Sequence, residues 1–431
     1  MYTVIFLLSV LLYALLAKKE NVLLFVLFFL PFQVLLKAFF NYLGEDSSAI
    51  AIWKELSMVI LLFRVLLDKG SQANGNQINP SKVVMFFPVV IVMFCFLIAN
   101  DKVSALSSAK NIAFPILCFF VAYKADIRIM KDINMIRGLM ISALISFAIG
   151  YIQKFMMNRE FAFFRGIASG ISGTGELMFN QSATTIMGVE RMYGAFTGPN
   201  ELGLYTAVIL ILILYVILFR FKEINKPTKI LTIVTLVSGV FVLLATFSRV
   251  AWVFTAVSSF LLLRKHNKKR MFRLAVFILA IGTVIVYFAV EFLPDLSKVA
   301  VESANLNEAS ASGRPLEFIT GLNKILENPL GLGLGSVNYA FSNRLFSTEI
   351  YWWLIFLETG LIGGFSLIVL YLHIISKIKI FSKDRGNGFT SIAVILSVVT
   401  IFAGLGSVVI FEPIFMVYIW TINGLGINES L

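Results

Sequence analysis

Charge, cysteine and histidine are all scarce in this chain. Of 431 residues only 14% are Asp, Glu, Lys or Arg, while 59% are hydrophobic and the mean hydropathy is +0.89. A soluble chain would be about a quarter charged and less than half apolar. Such an apolar excess has no place in domains whose surface must face water, and disorder requires the opposite composition. The two cysteines, Cys95 and Cys118, both lie inside apolar runs, which argues against a disulfide framework or a cysteine metal site. With only His266 in a basic loop and His373 late in an apolar run, a histidine metal cluster has no basis either. No metal or other cofactor is expected.

What is abundant is long apolar runs. Crossing the hydrocarbon core takes about 20 residues of helix. Spans are expected near 2–17, 22–40, 50–67, 83–99, 109–123, 138–156, 201–219, 230–247, 250–264, 273–291, 350–376 and 389–411, with a shorter apolar stretch at 412–425 whose crossing is left open. The first run has no basic residue ahead of it and is followed by Lys18-Lys19, flanks unlike those of a cleavable signal peptide. The expected fold is all-α: a polytopic helical membrane protein with about 12–13 transmembrane helices. Its parts are amino-terminal transmembrane helices (1–156), an outer loop (157–200), central transmembrane helices (201–291), a long outer loop with an amphipathic helix (292–349) and carboxy-terminal transmembrane helices (350–431).

The net charge of +12 reports orientation. With the amino terminus outside, the inner connections 18–21, 64–82, 124–137, 220–229, 264–273 and 377–388 hold 23 Lys and Arg against 6 Asp and Glu, leaving 13 against 18 elsewhere. That asymmetry is the positive-inside pattern, so the basicity calls for no nucleic-acid partner. The densest run, Arg264 to Arg270, reads as an anchor beside anionic lipid. Both long connections then fall outside, where loops of such length are usually functional or disordered. In the second, Pro315 to Glu327 puts Leu316, Ile319, Leu322 and Leu326 on one helical face. Asn328-Pro329 ends that helix, and Gly331, Gly333 and Gly335 read as a flexible return.

Three arginines share the outer side. Arg249, in Thr246-Phe247-Ser248-Arg249-Val250, sits in a very tight turn between two spans; a cation so near the hydrocarbon usually faces a cavity or partner, although a snorkelling anchor beside Trp252 is the plainer alternative. Arg191 precedes Gly198-Pro199-Asn200, a turn into the next span with Asn200 as expected cap; helix amino termini suit anions. Arg314 opens the loop helix. Together they read as a site for a multiply charged anion, for which a lipid-linked diphosphate is the natural candidate in a membrane-embedded enzyme. Glu349, at a span entrance beside Tyr351, Trp352 and Trp353, is a candidate general base, the aromatics serving as an interfacial belt or a sugar-stacking face. Glu358 lies nine residues on, on the opposite face of a regular helix, and reads as a hydrogen-bonding partner for a neighbouring helix or arginine. Glu412 has no assigned role.

These motifs resemble the O-antigen ligase and Wzy-type polymerase superfamily. The resemblance is carried in order by Arg191-x-x-Gly194-x-Phe196-x-x-Pro199-Asn200, by Ser248-Arg249, by Arg314, by Asn328-Pro329-x-Gly331-x-Gly333-x-Gly335, and by Glu349 followed by Glu358-x-Gly360-Leu361-Ile362-Gly363. It covers about residues 190–365, the first 180 adding only hydropathy. It implies a metal-independent, inverting glycosyltransferase of the bacterial inner membrane, with an outward-facing site and a glycan donor on undecaprenyl diphosphate. Ligases of the superfamily typically carry a His-Asn pair where this chain has Glu349-Ile350, which favours the polymerase branch, whose acceptor is another lipid-linked repeat unit. The implied roles are diphosphate binding by Arg191, Arg249 and Arg314, and proton acceptance by Glu349, with Asn200, Ser248, Tyr351 and Glu358 in support. A chain-length regulator protein is a candidate partner. The alternatives are an O-antigen ligase acting on lipid A-core or another surface acceptor and, from another class, a flippase for lipid-linked oligosaccharides, which would place its charges nearer mid-membrane.

Overall fold

The computed structural model describes residues 2–45, 49–68, 82–125, 133–155, 185–186, 189–266, 314–337, 348, 350–385, 388–407 and 413–430. The expected span at 273–291, much of both long outer loops, Glu349 and Glu412 lie outside the described residues.

In chain order the helices are α1 (Tyr2–Leu16), α2 (Lys19–Phe29), α3 (Gln33–Tyr42), α4 (Trp53–Leu67), α5 (Lys82–Ile98), α6 (Lys102–Lys124), α7 (Ile133–Phe155), α8 (Pro199–Tyr215), α9 (Lys226–Ala245), α10 (Arg249–His266), α11 (Arg314–Glu327), α12 (Tyr351–Arg385), α13 (Gly388–Ala403) and α14 (Pro413–Ser430). A two-residue antiparallel ladder, Thr185–Ile186 with Val189–Glu190, precedes α8. Among the described residues six stretches are long and apolar enough to cross a membrane: Lys19–Tyr42, Lys102–Lys124, Ile133–Phe155, Pro199–Arg220, Lys226–Ala245 and Tyr351–Lys379. Outward-facing apolar side chains such as Leu8, Leu12, Phe94, Leu97 and Val237 form the surface of a multi-pass membrane protein rather than one that meets water.

Local chemistry accounts for most boundaries. Asp101 caps α6, its carboxylate accepting the amides of Val103 (3.0 Å) and Ser104 (3.3 Å), and Asn225 caps α9 through Thr228 (3.1 Å). The expected span at 22–40 is two helices joined by a 3-10 turn, Leu30–Phe32, around Pro31, which supplies no backbone donor. The apolar stretch left open at 412–425 is α14, buried from 414 to 427. It shares the centre of the bundle with α8, which is buried almost throughout, and Tyr205 meets Tyr418 across them at 5.5 Å between rings. Helices apolar on all sides belong in such a position.

The largest departure from expectation is in α12. Gly360 adopts φ 72°, ψ −179°, and the chain bends so sharply that the Trp352 and Tyr371 rings lie 6.1 Å apart. Along a straight helix those residues would be separated by about 28 Å. The short segment 351–359 therefore folds back against the long segment beyond Gly360.

Candidate functional site

The α9–α10 reversal takes only Thr246, Phe247 and Ser248. Phe247 has φ 50°, a left-handed conformation that costs a non-glycine residue about 1–2 kcal/mol. Contacts from several directions hold it there. The Arg191 guanidinium donates through Nε to the Thr246 carbonyl (2.8 Å) and through Nη2 to the Phe247 carbonyl (3.4 Å) and to Asn200 Oδ1 (2.8 Å). The Met192 amide donates to the Ala245 carbonyl (3.0 Å), and Trp252 Nε1 donates to that of Leu243 (2.8 Å). A Cβ on Gly203 would lie 2.9 Å from Ala251 and 3.0 Å from Ser248, so glycine is what lets α8 approach this closely. Strain persists where its surroundings over-determine it, as they do here.

Arg191 is in turn fixed to α7, because Gln153 Oε1 accepts the amides of Tyr193 (3.1 Å) and Gly194 (3.0 Å). Asn200, expected from the sequence to cap α8, does not do so. Gly198 occupies the cap, since Pro199, with its preset φ and missing N–H, suits the first helical position. Asn200 instead accepts from Arg191. Arg249 opens α10 half-buried, two residues beyond the carbonyl held by Arg191, and the helix amino terminus adds positive potential. Beside it the Ser248 hydroxyl is buried with no hydrogen-bond partner among the described residues. Burial, and then the Glu190 carboxylate, push the Tyr193 hydroxyl up to about 12, so it is neutral near pH 7 and unsuited to act as a base.

A second junction joins the glycine-rich segment to the break in α12. An unbroken helix would pair the Leu361 amide with the Leu357 carbonyl. Here the Leu361 amide goes to the Pro329 carbonyl (2.9 Å), and the Leu357 carbonyl takes the Leu332 amide (2.6 Å). The loop thus satisfies both halves of the hydrogen bond that the break opens. Glu358, fully buried, accepts the Ser108 hydroxyl and the Val337 amide (3.4 Å). Gly331, Gly333 and Gly335 all have positive φ. A Cβ on Gly331 would lie 2.5 Å from the Gly360 nitrogen, and one on Gly335 2.5 Å from the Ser104 backbone. The expected flexible return is a packed, tethered segment.

The face expected on α11 is present, and Leu316, Ile319, Leu322 and Leu326 are all exposed. Its other side docks on the start of α12: Gly321 lies against Trp353, the Phe318 and Trp353 rings are 4.8 Å apart, and the Thr348 hydroxyl donates to Glu317 (2.7 Å). Arg314 is the first residue of this helix, and its side chain lies outside what is described. So does the whole of Glu349, between the buried Thr348 and Ile350. Tyr351 and Trp352 are buried, with Trp352 Nε1 donating to the Ile401 carbonyl (2.8 Å). They pack the core here and offer no exposed belt or sugar-stacking face.

Sequence reasoning missed Gln153, Ser104, Ser108, Glu317 and Thr348. Ser104 and Ser108 had a signal, a pair of hydroxyls at i, i+4 on one face of α6, but Ser107, Lys110 and Asn111 nearby obscured it; the others touch their partners only through the tertiary fold.

Residues 234–368 match a family described as O-antigen ligase. The matched stretch contains Arg249, Arg314 and the tethered glycine-rich junction, whereas Arg191 precedes it. No curated protein matches the chain.

Proposed function

We propose that this protein, whose residues 234–368 match the O-antigen ligase family, is a membrane-embedded polysaccharide polymerase of the O-antigen ligase and Wzy-type superfamily. In this reading it extends an envelope glycan from undecaprenyl diphosphate onto a sugar hydroxyl of another lipid-linked repeat unit. Its active site faces outward from the bacterial inner membrane.

The observation that carries the reading is the pinned turn, where Arg249 stands at a helix amino terminus two residues beyond the Phe247 carbonyl that Arg191 holds. A developing diphosphate needs preorganised positive groups that do not rearrange as charge builds on the leaving oxygen. Arg249 contacts the diphosphate. Arg191, engaged with two carbonyls and Asn200, adds its charge while shaping the turn, and Arg314 is the third cation assigned to the diphosphate. The acceptor hydroxyl oxygen bonds to the anomeric carbon as the carbon–oxygen bond to the diphosphate breaks, inverting the centre. The bonding electrons leave with the polyprenyl diphosphate, and the hydroxyl proton passes to Glu349. Ser248, with its unpartnered hydroxyl next to Arg249, is a further donor to the phosphate oxygens.

Glu349-Ile350 in place of a His-Asn pair is the feature that favours polymerase over ligase. The test is reconstitution with purified lipid-linked repeat units as the sole substrate. A ladder of longer lipid-linked products is expected. Single repeats left unjoined until lipid A-core is supplied would overturn the reading in favour of a ligase.

A further inference from the structure

A second group of cations lies among the amino-terminal helices. Gln33 and Lys37 share one face of α3, Lys110 and Phe114 share one face of α6, and Lys54 and Glu55 occupy the first turn of α4. These faces meet. Lys54, only 1% exposed, donates to Gln33 Oε1 (2.5 Å) and the Ala51 carbonyl (3.4 Å) and lies 5.9 Å above the Phe114 ring. Glu55 Oε1 is 3.4 Å from Lys54 Nζ and 3.6 Å from Lys110 Nζ. Lys37 senses the charges of both Lys110 and Glu55.

Three lysines thus surround one carboxylate, and neither oxygen of that carboxylate has a hydrogen bond among the described residues. Glu55 supplies the only described ion pairs of the group, so the cluster carries a net +2. Cations inside an apolar bundle are rarely left uncompensated. Lys54 seals the base, whereas Lys37 is half-buried and the Lys110 side chain is 34% exposed. Val103 and Leu106, on the same face of α6 as Lys110, are exposed, as is Phe39 beyond Lys37. The mouth is therefore bordered by side chains suited to lipid. Lys37 and Lys110 lie roughly 8 and 12 Å from the helix ends assigned to the outer side, at headgroup depth or just below.

From this geometry we infer that Lys37, Lys54 and Lys110 form an anion site for the phosphate-bearing headgroup of an outer-leaflet lipid. Ammonium groups on flexible stems act as point charges toward phosphate, and two uncompensated positive charges match a doubly charged headgroup. Its assignment to the diphosphate of the acceptor substrate rests on the polymerase reading, which requires two lipid-linked molecules bound at once. The anion site itself does not depend on that reading.

The test is to count undecaprenyl diphosphate molecules retained by the full-length protein in phosphatidylcholine nanodiscs, by native mass spectrometry. Wild type should retain two per chain. The Lys37→Gln/Lys110→Gln double variant and the Arg249→Ala variant, each checked for a cooperative melting transition, should each retain one, and Lys110→Gln alone should weaken one of the two at least tenfold. Two molecules on the double variant, bound as tightly as on wild type, would overturn the lysine site. Two on Arg249→Ala with one on the double variant would instead overturn the arginine reading and leave the lysine site standing. In a second arm phosphatidylglycerol is added. Failure to displace the lysine-dependent molecule supports the acceptor assignment; selective displacement supports the anion site but assigns it to ordinary phospholipid and overturns the acceptor role.

Discussion

The α9–α10 turn and the junction between the glycine-rich loop and α12 solve the same problem with opposite charges. In the first, a guanidinium gathers carbonyl oxygens: Arg191 holds Thr246 and Phe247. In the second, a carboxylate gathers donors: Glu358 holds Ser108 and the Val337 amide. The turn is half-buried at Arg191, so water can take over lost contacts, whereas Glu358 is sealed. The turn also accepts strain at Phe247, whereas the junction avoids it by placing glycine wherever φ is positive. On the proposed function, the difference separates a region that presents charged groups from one that fixes a scaffold. Damage to the first should appear mainly in activity, and damage to the second mainly in folding.

Changes at four positions sharpen that contrast, from the largest effect on stability to the smallest. Gly360→Ala places a Cβ 2.5 Å from the Leu330 carbonyl carbon in a conformation open almost only to glycine. The protein should fail to accumulate in membranes, as an immunoblot would show. Glu358→Ala strands buried donors and should cost about 3 kcal/mol, while Glu358→Gln keeps an acceptor oxygen and should cost about 1 kcal/mol; melting temperatures of the purified variants check both. Arg191→Lys loses the planar fork but keeps the charge. It should cost about 1 kcal/mol of stability yet lower polymerisation more than tenfold, because the turn that carries Arg249 loosens. A stability loss matched by an equally small activity loss would erase the distinction between the two regions. Asp101 is the mildest case. Hydrogen bonds from Ser104, first its hydroxyl and then its amide, hold this carboxylate below its ordinary value. Its cap on α6 therefore contributes above the ordinary carboxylate range and is lost as pH falls through the lowered value. Asp101→Asn should flatten that acid-side dependence of the melting temperature.

Most helices were legible in the sequence, because apolar runs bounded by Pro199, Asn225-Lys226 and Arg249 can end in few ways. The break at Gly360 was not. Residues 354–370 carry only Glu358, Thr359 and Ser366 as polar side chains and no proline, and what opens the helix is a loop some thirty residues upstream that supplies the missing partners. Gly331, Gly333 and Gly335 were visible as glycines, but sequence cannot distinguish a glycine that allows motion from one that allows close packing. The tightness of the Arg249 turn could be read directly from the absence of polar residues between two spans. The partners of Arg191 could not, because they are carbonyl oxygens that every residue carries. The lysine cluster was hidden inside runs that met the length and hydropathy of a span despite their charges.

The central claim is that Arg249, presented by a turn that Arg191 holds in place, stabilises the departing diphosphate. The most direct measurement is the initial rate of chain elongation by purified Arg249→Ala protein on lipid-linked repeat units, beside its melting temperature. The account predicts a fall of about 100-fold or more in protein that still melts cooperatively. Elongation at the wild-type rate would contradict it.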